Sequence, residues 1–177
     1  MNNTMEIQIG KDVILIDKED YDKFNSLKWY IHGNKRANTT KYALANIKKG
    51  NKNSTIRLHR FILSVDTSKI QVDHINGNGL DNRKCNLRIC NAQQNTYNQK
   101  PLNRYKGVIK YKDGYRASVR VEKKDYYLGF YNDEIEAALV VDAAIKFHHK
   151  DFAYLNFPHL DTKPKSVNLI RKEKGYE

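Results

Sequence analysis

Cysteine is scarce in this sequence of 177 residues, with Cys85 and Cys90 as the two present. Two thiols cannot form a disulfide scaffold, and such low use fits a reducing compartment. Their C-x4-C spacing supplies at most half of a structural zinc site. Because there is no second pair, we expect structural zinc to be absent and both cysteines to be ordinary half-buried thiols.

Long apolar runs are also missing. No stretch is long enough to span a membrane, and the N-terminus carries no apolar signal segment. We therefore expect an intracellular protein with no membrane partner. The sequence shows no internal repeat and no low-complexity block.

Acidic residues are outnumbered, with 20 Asp and Glu against 32 Lys and Arg, which gives a formal net charge of +12. The sequence pI is about 9.6. A cationic excess of this size favours a polyanionic partner and salt-dependent binding. A ribosomal-type or otherwise surface-charged protein has the same charge, so charge alone does not choose a function.

Short β-branched and aromatic segments predict a β-rich N-terminal segment, residues 1–57. The expected strands are residues 13–16, 29–31 and 42–44, with a polar turn at residues 33–36. Residues 48–53 are rich in lysine, glycine and asparagine, and they predict a basic surface loop.

The composition changes again at Lys100-Pro101, where a region covering residues 101–160 begins. Asp113-Gly114 predicts a hairpin turn, and Asp133 and Glu134 suit the positive N-terminal end of a helix over residues 133–149. The expected strands are residues 107–111, 115–121 and 124–130. The polar and basic residues 161–177 predict a loose tail. The fold class is therefore α+β.

The chemistry is concentrated at Asp73-His74, which precede an Asn- and Gly-rich turn. Asp offers a hard oxygen ligand for a divalent cation, and His offers a base near neutral pH. We expect strands at residues 71–74 and 86–89 and a short polar helix at residues 91–99. Asp73 and Asn95 then suit Mg²⁺, while His74 points to the opposite side of its strand and can address a water molecule.

Residues 58–99 resemble the HNH, or ββα-metal, nucleases of phages and mobile introns, and a nuclease domain is expected over residues 58–100. The matching segments are Leu58-His59-Arg60, Asp73-His74, Asn76-Gly77-Asn78, Asn82-Arg83 and Asn86-Leu87-Arg88. The resemblance implies His74 as general base, Asp73 and Asn95 as metal ligands, and Asn86 as the residue that pins the loop. Asn95 is chosen on spacing, with Asn91 and Asn98 as alternatives on the same helix.

The same resemblance leaves His59 with two readings, a supporting catalytic role or a plain structural histidine. Arg60 and Arg88 are expected to contact DNA. The implied cofactor is a divalent metal, Mg²⁺ or else Mn²⁺, and the implied products are a 5′ phosphate and a 3′ hydroxyl. One site cuts one strand, and the implied location is the cytoplasm of a bacterial or phage-infected cell.

Residues 104–158 resemble the plant APETALA-type, or ethylene-response-factor, DNA-binding domain, which has three antiparallel strands backed by one helix. The matching segments are Tyr105-Lys106-Gly107-Val108, Ala117 with Arg120, Leu128-Gly129, Ala137-Ala138, Asp142-Ala143-Ala144 and Ala153-Tyr154-Leu155-Asn156-Phe157-Pro158. Ile109 and Tyr111 replace the usual arginines, and Tyr115 and Tyr127 replace the usual tryptophans. The plant target sequence therefore does not carry over.

Alternation along these strands predicts which side chains face the helix and which face the major groove of duplex DNA. Those expected to face the helix are Val108, Ala117, Val119, Leu128 and Phe130. Those expected to face DNA are Ile109, Tyr111, Arg116, Ser118, Arg120 and Tyr127. Those expected to surround that face for phosphate contact are Lys106, Lys110, Lys112, Lys123 and Lys124.

The sequence thus predicts a metal-dependent endonuclease of homing or phage type that acts on double-stranded DNA. One alternative is a non-catalytic DNA-binding or regulatory protein with a degenerate HNH motif. A second is an RNA-directed nuclease, which the groove-reading sheet disfavours because the major groove of A-form RNA is too narrow. The target sequence and the oligomeric state, monomer or dimer, stay open.

Overall fold

The computed structural model describes residues 3–33 and 40–160. The chain divides into two compact units, unit 1 from Met1 to Asn95 and unit 2 from Thr96 to Glu177. Small antiparallel sheets and a few helices make up both, which confirms the α+β class. None of the helices within these described ranges has the length and apolar character needed to cross a membrane. The predicted tail, residues 161–177, lies outside the described residues.

Unit 1 is built from antiparallel strand pairs joined by short helices. Its strands are β1 (Thr4–Ile9), β2 (Asp12–Asp17), β3 (Trp29–His32), β4 (Tyr42–Lys49), β5 (Lys52–Arg57), β6 (Gln71–His74) and β7 (Leu87–Cys90). Its helices are α1 (Tyr21–Asn25), α2 (Leu58–Ile62) and α3 (Ala92–Tyr97), which crosses into unit 2. Strand β1 pairs with β2, β3 and β5 flank β4, and β6 pairs with β7.

The predicted strands of the N-terminal segment are confirmed, since each lies inside β2, β3 or β4. The basic loop is wrong in its extent, because β4 and β5 continue to Lys49 and Lys52 and leave Gly50-Asn51 as the turn. Gly50 has a φ of +58°, which a glycine adopts at little cost. Most of the predicted turn at residues 33–36 falls outside the described residues.

One apolar core joins the β-rich segment to residues 58–95, which carry the motif. Ile14 and Ile16 alternate inward on β2 and pack with Trp29, Leu58 and Val72. The indole nitrogen of Trp29 donates to the Phe24 carbonyl at 2.7 Å, so this buried ring keeps its hydrogen bond. Residues 1–57 and 58–95 therefore share a single core, which gives the motif region a rigid support.

Unit 2 consists of a three-stranded antiparallel sheet covered by one long helix. Its strands are β8 (Val108–Tyr111), β9 (Gly114–Val121) and β10 (Lys124–Tyr131), with β9 in the centre, and its helix is α4 (Glu134–His149). The side chain of Asp133 caps α4 by accepting from the Glu136 amide at 2.8 Å. Ala137, Ala138 and Ala144 are fully buried, so the small alanine face lets the helix lie close to the sheet.

Two details of this sheet differ from the prediction. The turn between β8 and β9 is Lys112-Asp113, one residue early, and Gly114 lies inside β9. A Cβ at Gly114 would come within 2.5 Å of the Phe130 ring, so packing and not the turn requires this glycine. Phe130 does not face the helix and is 46% exposed. A register shift between Tyr127 and Gly129 adds a residue to β10 and reverses the alternation beyond it.

A buried carboxylate ties the C-terminal segment to α4. Asp142 accepts from the Asn156 amide and side chain at 2.9 Å each and from the Phe157 amide at 2.7 Å. The Asn156 side-chain oxygen in turn accepts from the Lys106 amide at 2.7 Å. Burial raises the pKa of Asp142, and the hydrogen bonds from Asn156 and Phe157 oppose that shift. Asp142 is therefore a structural group of unit 2.

Candidate active site

The β6–β7 hairpin presents the two motif residues on opposite faces. Asp73 pairs across the ladder with Arg88, and His74 pairs with Leu87. Successive strand residues alternate, so His74 turns away from the face that carries Asp73. Both side chains are buried. The predicted strand at residues 71–74 is confirmed, whereas the second strand starts at Leu87 because residues 84–86 form a 3-10 turn.

Asn86 fastens the loop between the two strands. Its side-chain oxygen accepts from the Asn76 amide at 3.0 Å, and its Nδ2 donates to the Asn76 side chain at 3.0 Å. The same Nδ2 donates to the Asp81 carbonyl at 2.8 Å. The Asn86 carbonyl also accepts from the Ile75 amide at 2.9 Å, directly after His74. This arrangement fixes the backbone at the end of β6.

A buried carboxylate holds the far side of the loop. Arg83 donates to both oxygens of Asp81, at 2.8 and 2.7 Å, and the Asn76 side chain donates to it at 2.9 Å. The Arg83 hydrogen bond is the main cause that lowers the pKa of Asp81. Leu15 on β2 exchanges backbone hydrogen bonds with Leu80 and Asn82, so the loop is anchored to the core sheet.

His74 packs against His59 and Tyr42. The two imidazole rings meet edge to face, 4.8 Å between centroids, and Tyr42 lies 5.7 Å from His59 and 5.8 Å from His74. Burial, followed by the charges of His74, Arg57 and Arg60, lowers the pKa of His59 to about 3. Burial also lowers the pKa of His74, although its hydrogen bond to Asn82 and the nearby carboxylates oppose that shift. Burial thus favours the neutral form of both rings, the state in which an imidazole can accept a proton.

Asn82 is a site residue to which sequence reasoning gave no role. It is 0% exposed, and its Oδ1 lies 3.4 Å from Nε2 of His74. Within the described ranges, its Nδ2 is buried without a hydrogen-bond partner. The run Asp81-Asn82-Arg83 was visible in the motif, but spacing could not show which of these side chains turns toward His74.

The opposite face carries Asp73, Gln71 and Asn95. The Asn95 side-chain nitrogen donates to Gln71 Oε1 at 2.7 Å. Gln71 and Asp73 are two residues apart on β6 and therefore share a face, which places Asn95 on the same side as Asp73. Asn91 instead caps α3, since it exchanges reciprocal hydrogen bonds with Gln94 at 2.8 and 2.9 Å. Asn91 is therefore occupied as the cap of this helix.

Two arginines that were expected to contact DNA are engaged inside unit 1. Arg88 donates from Nε and Nη2 to Asp73 Oδ2 at 2.8 and 2.7 Å. Arg60 donates to the carbonyls of Ile70 and Thr67 at 2.8 and 2.6 Å. Their guanidinium groups hold the candidate ligand and a neighbouring loop, so in this structure both have internal partners where DNA contacts were expected.

The donor set fits a hard divalent cation. A carboxylate and an amide oxygen, on Asp73 and Asn95, are the ligands that Mg²⁺ and Mn²⁺ accept, with water and phosphate oxygens completing the sphere. Residues 3–33 and 40–160 contain no cluster of three or more His, Cys, Asp or Glu side chains able to hold a metal.

In unit 2 the residues expected to face DNA lie on the open side of the sheet. Ile109, Tyr111, Arg116, Arg120 and Tyr127 are exposed, and Lys110 is exposed beside them, whereas Ser118 is half-buried. Lys106 does not surround this face. Its ammonium group donates to the carbonyls of Tyr97 and Gln99, and burial lowers its pKa to about 8. Its predicted phosphate contact is therefore replaced by an internal one.

Comparison with known proteins identifies the class of this site. Residues 64–97 match the sequence model of a family described as HNH endonuclease. A protein of Acanthamoeba polyphaga mimivirus, named as an uncharacterized HNH endonuclease, is 41% identical over 70 residues. That match covers 36% of this chain and 37% of the viral protein. No solved structure matches the chain. The motif region is therefore similar to HNH endonucleases, which supports a nuclease.

Proposed function

We propose that this protein is a metal-dependent endonuclease of homing or phage type that hydrolyses phosphodiester bonds of duplex DNA inside the cell. The observation that carries the proposal is the pair of faces on the β6–β7 hairpin. One face holds Asp73 and Gln71, to which Asn95 donates, and the other holds the ring of His74, whose pKa is lowered by burial. The match of residues 64–97 to HNH endonucleases supports the same reaction.

In the proposed mechanism His74 takes a proton from a water molecule, and general base catalysis of this kind is worth about 10²–10⁴-fold. Asp73 and Asn95 would hold the divalent cation, which would supply charge stabilisation to the phosphate and to the leaving oxygen. Asn86 keeps the end of β6 in place, and His59 packs against the ring of His74 as a positioning residue. The hydroxide forms a bond to phosphorus as the bond from phosphorus to the 3′ oxygen breaks, and a proton from solvent on that oxygen gives a 3′ hydroxyl beside the 5′ phosphate.

Unit 2 supplies the contact to duplex DNA in this proposal. Its sheet presents exposed cations and aromatic side chains, and the whole chain carries a formal net charge of +12. Such a surface binds phosphates and fits the major groove. The resemblance of residues 104–158 to the APETALA-type domain points to the same partner.

A non-catalytic DNA-binding protein is the second candidate, and the Asp73–Arg88 ion pair favours it. The guanidinium of Arg88 lies 2.7 Å from Asp73 Oδ2, on the carboxylate that would hold the cation. An active enzyme has to share or exchange this carboxylate between Arg88 and the metal. Metal-dependent cleavage separates the two candidates.

The test is nicking of supercoiled plasmid with Mg²⁺ or Mn²⁺, and with EDTA as the blank. We expect His74→Ala to lower the rate by about 10²-fold or more, because the general base is lost. The exposed His32 offers the matched control, and His32→Ala should cut at the wild-type rate. No cutting by the wild type, or equal cutting by His74→Ala, would favour the non-catalytic candidate. Competition by structured RNA that exceeds competition by duplex DNA would favour the RNA-directed alternative.

A further inference from the structure

The open face of the sheet in unit 2 carries large apolar side chains among exposed lysines. Ile109 is 56% exposed and Phe130 is 46% exposed, and Tyr111 and Tyr127 are about as open. The register puts Ile109 opposite Arg116 on one side and Phe130 opposite Arg116 on the other. Ile109, Arg116 and Phe130 thus form one row across the three strands, which we call the reading row.

Arg116 is the central polar group of this row, and its direction is restrained. Its guanidinium carbon lies 5.2 Å from the centre of the Tyr127 ring, within the range of a cation–π contact. Arg120, four residues along the same strand and on the same face, is paired with Asp125 through two hydrogen bonds of 2.8 and 2.7 Å. The guanidinium fork of Arg120 is therefore occupied, and polar reading of bases by arginine falls mainly to Arg116.

The charge around the reading row fits a polyanion. Lys110, Lys112, Lys123 and Lys124 are all exposed at the rims of the sheet, two of them in the turns that join its strands. Lysines so placed contact phosphates without reading sequence. The apolar side chains between these lysines can contact only an apolar group on the bases of the nucleic acid.

We propose that the reading row recognises thymine methyl groups in the major groove of duplex DNA. This rests on the proposed function, in which unit 2 binds duplex DNA. The thymine C5-methyl is the apolar group that the major groove displays, and an arginine between apolar neighbours suits the O6 and N7 acceptors of guanine. Ile109 and Phe130 are two strand spacings apart, about 10 Å, which corresponds to about three base steps of roughly 3.4 Å. The preferred site therefore has two thymines about three base steps apart, with a guanine between them.

The test replaces thymine by uracil, which keeps every hydrogen bond and removes only the methyl group. The full-length protein is first used to select its tightest binders from a random-sequence duplex pool. The winning duplex is then made with thymine or with deoxyuridine, and both binding and nicking are measured. We expect the uracil duplex to bind about fourfold more weakly for each methyl group contacted.

Variants of the row locate the effect. Ile109→Ser should reduce the ratio of the affinity for the thymine duplex to that for the uracil duplex, because the side chain that contacts a methyl group is removed. Ile135 is also exposed but lies on α4, so Ile135→Ser is the matched control and should keep the ratio. Equal affinity of the wild type for the two duplexes, with salt-dependent binding and nicking retained, would overturn the inference and leave the proposed function standing. Failure to bind duplex DNA, or tighter binding of RNA, would overturn both.

Discussion

The two units of this chain place their polar groups in opposite locations. Unit 1 buries a cluster of polar side chains beside its short hairpin, among them His59, Asp73, His74, Asn82 and Asn86. In the described part of unit 2 the buried polar side chains are Asp142 and His149, and its cations and aromatic rings face outward. Desolvated polar groups at fixed geometry suit catalysis, whereas exposed cations and rings suit recognition.

Two asparagines, one in each unit, make similar hydrogen bonds and allow the units to be compared directly. Asn86 bonds to Asn76 and to the Asp81 carbonyl in unit 1, and Asn156 bonds to Asp142 and to the Lys106 backbone in unit 2. If the buried polar cluster of unit 1 serves catalysis, loss of the first should affect cleavage far more than loss of the second.

The largest effect is therefore expected for Asn86→Ala. We expect the nicking rate to fall on the order of 10²-fold, because a small displacement of His74 and Asp73 is enough for such a loss. The free energy of unfolding should fall by about 2 kcal/mol, since buried partners are left without hydrogen bonds. Asn156→Ala should cost a similar amount of stability and leave the nicking rate of the folded protein unchanged. For each variant, stability is measured by urea unfolding, and plasmid nicking is measured under conditions in which the variant is folded. Equal losses of activity in the two variants would contradict the view that the buried polar groups serve catalysis in unit 1 and only structure in unit 2.

A smaller effect is expected from pH, and it should occur in both units. Burial lowers the pKa of His59 to about 3 in unit 1 and that of His149 to about 4 in unit 2. In the unfolded chain each titrates near 6.5. As the pH falls below 6.5, the unfolded state binds protons that the folded state does not. The free energy of unfolding therefore decreases as the pH falls from 6.5 to the pKa of the folded state. Each histidine contributes at most about 1.4 kcal/mol per pH unit in that window.

The measurement is urea unfolding between pH 7 and pH 5 for the wild type, His59→Phe and His149→Phe. Each variant should lower the slope of unfolding free energy against pH, compared with the wild type. His32→Ala removes an exposed histidine and should keep the wild-type slope. If both buried-histidine variants kept the wild-type slope of unfolding free energy against pH, burial would not lower the pKa of either histidine in the folded protein.

Local pattern explains what could be predicted of the site. Alternation along residues 71–74 was enough to put Asp73 and His74 on opposite faces, and the polar run after Asn91 was enough to predict α3. The strands and helix of unit 2 followed from the same kind of pattern. These features depend on neighbours in sequence, which is why they are correct.

Partners distant in the chain explain what could not be predicted. Arg88 is held by Asp73 and Lys106 by Tyr97 and Gln99, although each looked like a free cation in sequence. Phe130 faces outward because a bulge in β10 shifts the alternation by one residue. In each case tertiary packing, which spacing does not record, decided where the side chain points.

The smallest of these effects is expected at Asn82, and it tests whether a buried polar residue of unit 1 acts through the base. Its Oδ1 lies 3.4 Å from His74 Nε2 and can accept the proton of that nitrogen, which leaves Nδ1 unprotonated for water. Leucine has a similar volume and no acceptor. Asn82→Leu should therefore lower kcat by about tenfold, the equivalent of one weak hydrogen bond at about 1.4 kcal/mol, with KM unchanged.

Stability separates this role from a packing role. Asn82 buries an Nδ2 that has no partner among the described residues, so its replacement by leucine should not lower the free energy of unfolding. Nitrogen NMR of labelled histidine should show His74 mainly protonated on Nε2 in the wild type and as a mixture of tautomers in the variant. Asn156→Ala in unit 2 should keep the wild-type tautomer despite its loss of stability. An unchanged tautomer with unchanged kcat in Asn82→Leu would mean that Asn82 only fills space. Fewer of the buried polar side chains of unit 1 would then serve catalysis.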